Sequence, residues 1–195
     1  MIGSYGVVRA VADRLNQALP AKVRSVRERL GVSEWELPDP AQALPYLPDI
    51  TTLGDFPAVL VSYQDNQQEQ VTVTTPELGA MSELYVFVYQ VEVYVICRSD
   101  SYESTEQQTQ LMEAVVREVI LQQKDISPDT VQDGESVIIN PVEVASAPSD
   151  VVSDNASRFV GAVVVNFPVK VNEAVESPYG SQGDAGTIPV HPAFQ

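Results

Sequence analysis

The sequence predicts an α+β protein: an antiparallel or mixed β-sheet with two helices packed on one face, long strands and an extended C-terminal tail. Two strand patterns and the order of elements predict it. In Leu84 to Arg98 the odd positions Tyr85, Phe87, Tyr89, Val91, Val93, Val95 and Cys97 are apolar or aromatic, while the even ones include Gln90, Glu92 and Arg98. Alternation of this length means one face buried throughout and the other in part, in a strand well beyond the usual five or six residues or so. Ser157 to Asn172 repeats the design, with Phe159, Gly161, Val163, Val165, Phe167, Val169 and Val171 opposite Arg158, Asn166, Lys170 and Asn172. Strands that follow one another without crossover helices favour antiparallel pairing with the helices gathered on one side.

The first element is an amphipathic helix over residues 4–19, in which Tyr5, Val8, Val11, Ala12, Leu15 and Leu19 recur at helical spacing. Pro20 interrupts it, and a further turn or two closes at Gly31, so a helix–kink–helix or one bent helix is expected. Pro38, Pro40, Pro45 and Pro48 make residues 36–52 a long extended linker. FPAVLVSY (56–63) and QVTVTT (70–75) read as strands joined by the polar loop QDNQQE, a hairpin with a hydrophilic tip. After the first long strand, Ser104 with Gln107 forms a capping-box pattern, Glu103 and Glu106 suit the positive end of a helix dipole, and Leu111, Met112, Val115, Val116, Val119 and Ile120 form the apolar stripe of a second helix. Ser136 to Ala145 reads as a short strand broken by Pro141, at a sheet edge or carrying a bulge. Residues 1–172 form the predicted domain. Residues 173–195, rich in Gly, Pro and Ser, form an extended or disordered tail.

Charge narrows the partners. With 11 basic and 27 acidic residues the chain carries −16 at neutral pH, which opposes attraction to nucleic acid or an anionic membrane. The first 30 residues hold six basic side chains against Asp13 and Glu28, a local +4 that leaves −20 for the rest. Either this helix pairs with an acidic surface of a neighbouring copy or it is a solvated face. The opening MIGSYGVVRAVADRL breaks its apolar run with Arg9 and Asp13, so no signal peptide is expected. No window approaches the roughly 20 apolar residues of a membrane span.

The inventory of catalytic groups is thin, and no enzyme activity is expected. His191 is the only histidine and falls in the Pro-flanked VHPAF of the tail, which leaves no Ser/His or Cys/His pair on a rigid scaffold. Cys97, alone, reads as a small buried hydrophobe. Asp100, Glu103 and Glu106 lack calcium-loop spacing and are explained by a helix N-terminus. No phosphate-binding glycine loop is present, so neither cofactor nor metal is expected. Tyr85, Phe87, Tyr89 and Tyr94 could suggest a base-stacking sheet, but the interleaved Lys and Arg that phosphates require are missing.

The helix GVVRAVADRLNQAL, the Pro-rich link to FPAVLVSY, the strand ELYVFVYQVEVYVICRSDS running directly into the helix ESTEQQTQLMEAVVREVI, and the late strand RFVGAVVVNFPVKVN together cover about residues 4–172. In that order they resemble the tail terminator proteins of long-tailed bacteriophages, and more distantly the tube-capping proteins of contractile injection systems. The Pro-rich linker and the C-terminal tail depart from the pattern, which leaves a related neck or head-completion connector as an alternative.

The resemblance implies a virion structural protein, assembled in the host cytoplasm, that forms a homo-oligomeric ring, commonly a hexamer. Such a ring ends tail-tube polymerisation and offers a docking surface for the head and neck. Its implied partners are the tail tube protein and a neck or head-completion protein, with the sheath protein as a further candidate. DNA passes through without specific binding. Arg24, Arg27 and Arg29 are candidate interface residues, as are Tyr179, Ile188, Val190 and Phe194 in the tail, while Asp65 and Glu69 are candidates for an acidic channel lining. From other classes, a carboxylate-type soluble enzyme and an acidic inhibitor mimicking nucleic acid remain as alternatives.

Overall fold

The computed structural model describes residues 3–69, 82–127, 136–140, 143–153 and 158–176. Helix α1 spans Gly3–Leu30 and α2 spans Tyr102–Gln122, with strands β1 (Ala58–Glu69), β2 (Ser82–Ser99), β3 (Ser136–Ile139), β4 (Ala145–Pro148), β5 (Val152–Ser153) and β6 (Phe159–Glu176). The sheet is antiparallel, in the order β1, β2, β6, and the outer edge of β6 is shared by β3, β4 and β5. The α+β architecture with both helices on one face is therefore observed. Val59 and Val61 of β1, Val91 to Cys97 at odd positions of β2, and Val163 to Val171 at odd positions of β6 share one core with the stripes of α1 and α2.

Helix α1 runs through Pro20 without a break. A proline there removes one backbone donor, yet Leu15, Leu19, Val23 and Val26 stay in phase and are all buried. Packing of one continuous stripe outweighs the lost bond. Gly31, with φ of 67°, ends the helix as Val32 N–H bonds back to Arg27 C=O at 3.2 Å.

Helix α2 starts earlier than the capping-box pattern at Ser104 suggests. The cap is Ser101, whose Oγ accepts from Ser104 N–H at 3.1 Å. Thr105 Oγ1 donates to Ser101 C=O at 2.9 Å and also lies 3.2 Å from Phe159 C=O, which ties the first turn to the start of β6. The long strand thus passes into its helix with almost no loop, and the helix folds back over β2 and β6.

The Pro-rich linker is mostly irregular, with a 3-10 turn at Ile50–Thr52 where a wholly extended connection was expected, and it is anchored. Asn16 of α1 clamps the Ala43 backbone from both sides, accepting from its N–H at 2.6 Å and donating to its C=O at 3.1 Å. Leu44 forms a parallel bridge to Leu60, with Leu44 N–H on Val59 C=O at 3.0 Å and Val61 N–H on Leu44 C=O at 2.8 Å. Leu37 and Ala43 are buried in the main core, whereas Leu44, Leu53 and Phe56 cover a second cluster of Ala58, Leu60 and Ile96 on the opposite sheet face.

Three sequence expectations change. QDNQQE is not a hairpin tip: β1 continues through it to Glu69, paired with β2 as far as Val86 and shifted in register between Tyr63 and Asp65. Backbone pairing on one side suffices there, and polar side chains suit a strand at a sheet edge. The expected strand at 70–75 lies outside the described residues. Beyond β3, residues 145–153 supply β4 and β5, unforeseen because ASAP and VS carry no alternation to read. Also, β6 runs to Glu176, past the predicted boundary at 172, because Glu173 to Glu176 find backbone partners in Ser82 to Tyr85.

Strands β2 and β6 pair along their full 18 residues, from Ser82 opposite Glu176 to Ser99 opposite Phe159. Such strands span roughly 60 Å. The 21 residues of α2 span only about 30 Å. Burial follows: Tyr89 to Cys97 are buried at every odd position, while Tyr85 and Phe87 are only partly buried.

Candidate functional site

Where β2 ends and β6 begins, the linker and the sheet enclose an open cavity of about 540 Å³, lined by Asp39 to Gln42, Gly54 to Phe56, Arg98 and Arg158. The sheet register builds it. Arg98 lies opposite Val160, on the even face that also carries Tyr94 and Ile96, so it emerges on the side away from the helices beside the second hydrophobic cluster. The Arg98 guanidinium sits 4.2 Å from the centre of the Phe56 ring. That contact contributes of the order of 0.5–1 kcal/mol at a partly exposed site. It also restrains the guanidinium beside the cavity that Arg98 lines. Among the described residues the guanidinium has no hydrogen bond or ion pair. Arg158 Nε lies 3.8 Å from Asp100, and Asp39 is engaged by Arg27 at 3.0 Å.

The predicted interface arginines behave differently from one another. Arg27 is buried: its Nε donates to Leu37 C=O at 2.7 Å, and its other nitrogens meet Asp39 and, at 3.5 Å, Glu34. Its charge is taken up inside the subunit, joining α1 to the linker. Arg29 is bound to Glu118 of α2, which Lys22 also reaches at 3.3 Å. These contacts hold the Glu118 carboxyl below its ordinary range, the Arg29 hydrogen bond first, against some desolvation. Arg24 is exposed and its Nε bonds to Pro20 C=O at 3.1 Å.

Asp65 and Glu69 belong to β1 and pair with Gln90 and Val86 through the backbone. Tyr179, Ile188, Val190, Phe194 and His191 lie outside the described residues.

On the same even face a polar row crosses the sheet, where Ser62 and Asn166 flank Glu92 in register. Glu92 is 7% exposed and accepts from Tyr94 Oη at 2.7 Å, and this bond, followed by burial, pushes the Tyr94 phenol up to about 12. Asn166 Oδ1 is buried without a hydrogen-bond partner among the described residues. Cys97 is fully buried, and burial pushes its thiol up to about 12. Among the described residues no group of three or more His, Cys, Asp or Glu side chains is placed to hold a metal ion, and no helix is long and apolar enough to cross a membrane.

Sequence reasoning passed over Arg98, treating it only as a polar interruption on the even face. It also passed over Phe56 and over Trp35, which is 86% exposed just beyond α1. Arg98 was hard to find because its aromatic partner comes from 42 positions earlier in the chain. A lone tryptophan in a polar segment was a signal that could have been weighed.

No family model matches the chain, and no curated protein matches it in sequence.

Proposed function

We propose that this chain is a structural, non-catalytic subunit of a bacteriophage tail. It forms a ring on the end of the tail tube, ends tube polymerisation, and presents the surface on which the neck or head docks. The observation that carries this reading is the length of the β2–β6 pair. A ribbon of roughly 60 Å outreaches both helices above it, α2 at about 30 Å and α1 at about 40 Å. A subunit that shares its sheet or packs its ribbon against neighbours has a use for that length.

Exposed apolar side chains support the same reading. Trp35, Tyr46, Leu47 and Ile50 stand out from the linker region, each at least 49% exposed. Large aromatic and aliphatic groups of this kind are typical anchors of protein interfaces. The −20 carried beyond residue 30 suits a conduit that DNA traverses without adhering.

The test is the mass of the purified protein by light scattering, with negative-stain images of the same fraction, alone and with polymerising tail tube protein. Rings, or monomers that become rings on tube ends and stop their growth, support the proposal. Rings indifferent to tubes would favour a connector elsewhere in the neck. A monomer at every concentration that ignores tubes would overturn it.

A further inference from the structure

We infer that the cavity between Arg98 and Arg158 is a socket for a carboxylate side chain of a second copy of this chain. The inference rests on the ring proposal and names the chemistry of one of its contacts.

The Arg98 fork is the central feature. Its central carbon lies over the Phe56 ring, 4.2 Å from the centroid, and its N–H groups meet no acceptor among the described residues. A guanidinium so oriented is suited to bidentate recognition of a planar oxyanion, and little side-chain freedom is left to lose on binding. Other cations of the chain are differently placed: Arg9 faces Asp13, Lys22 and Arg29 face Glu118, Arg27 faces Asp39 and Glu34, and Arg117 faces Glu113. Arg14, Arg24 and Lys124 also have no ion pair among the described residues, but of these cations Arg98 is the one that lines the cavity and lies over an aromatic ring.

The cavity walls narrow the ligand. Arg158 adds a second positive group, but Asp39 and Asp55 line the opposite side. They repel a doubly charged phosphate more strongly than a single carboxylate entering edge-on to the fork. The cavity is open enough to admit a side chain presented by another protein surface.

A second copy fits the charge. In a heterologous ring each subunit must carry two different, mutually complementary patches. Net charge of −16 means that this chain's own surface supplies carboxylates in excess, whereas a cationic socket is scarce on it.

The experiment compares full-length wild type with Arg98→Glu, Arg98→Gln and Arg158→Gln by light scattering across concentration and salt, with circular dichroism and thermal melts of each. Wild-type assembly should weaken as ionic strength rises. Arg98→Glu should raise the concentration for half-assembly about tenfold or more, with smaller rises for Arg98→Gln and Arg158→Gln. All should keep the wild-type spectrum. If Arg98→Glu fails to fold, the shorter, uncharged Arg98→Gln carries the comparison. Rings that form at the wild-type concentration in every folded Arg98 variant would overturn the socket while leaving the ring proposal standing. A wild type that never assembles, with or without tubes, would remove both.

Discussion

Arg27 Nε donates to the main-chain oxygen of Leu37 at 2.7 Å, a charge-assisted bond between the last turn of α1 and the start of the linker. Leu37 is fully buried, so its carbonyl has little access to water. One arginine therefore closes the helix-to-linker corner that the fold depends on.

Arg27→Ala should lose about 2 kcal/mol in urea unfolding, the scale for leaving a buried acceptor unsatisfied. Arg24→Ala, on the exposed face, should change stability by less than about 0.5 kcal/mol. Equal effects from the two would show that burial of Arg27 does not govern its role.

Glu118 connects α2 to α1 through Arg29 and Lys22, and its carboxyl is held below the ordinary range. A depressed folded-state pKa adds stability that is fully present above the unfolded value, about 4.3 for glutamate. That stability is lost as pH falls through the folded value. Wild type should therefore exceed Glu118→Gln in urea midpoint at neutral pH, with the gap closing in acid below about pH 4. A gap that widens as pH falls would contradict the assignment.

Gly161 sits on the core face of β6 beneath the first turns of α2. A Cβ there would approach Thr109 Oγ1 to 3.0 Å, Val151 Cγ2 to 3.1 Å and Thr105 Cγ2 to 3.2 Å. Neither threonine can turn away freely, since Thr109 Oγ1 donates to Thr105 C=O at 2.8 Å and Thr105 is itself bonded to Ser101. Gly161→Ala should destabilise by about 1–3 kcal/mol. Thr109→Ser in the same chain, if it leaves the Oγ in place, should not relieve the loss. A melting temperature equal to wild type for Gly161→Ala would show that the helix can shift at no cost.

Cys97 lies two residues from the end of β2, fully buried, with its thiol pushed up to about 12 by burial. Native protein should react with a thiol reagent only as fast as it opens, and unfolded protein at the rate of an ordinary cysteine. Rapid modification of the native state would place Cys97 at the surface.

Much of the fold was legible because its signals are local. The alternation of Tyr85 to Cys97 and of Phe159 to Val171, together with the stripe from Leu111 to Ile120, depends only on which side of a strand or helix each residue occupies. Those periods survive as buried faces in the structure. The site was not legible in the same way. Arg98 gains its meaning from Phe56, and Arg27 from Leu37, through contacts that the folded chain alone brings about.

What the sequence by itself determined was the set of elements and the faces they bury, since hydrophobic periodicity is written residue by residue. Tertiary structure decided the rest. It carried α1 through Pro20, drew the polar QDNQQE into β1, clamped the linker through Asn16 and left Arg98 oriented in an open cavity. The physical reason is common to all four. Each depends on backbone pairing, packing or charge between segments distant in the chain, and no local pattern of side chains encodes such a contact.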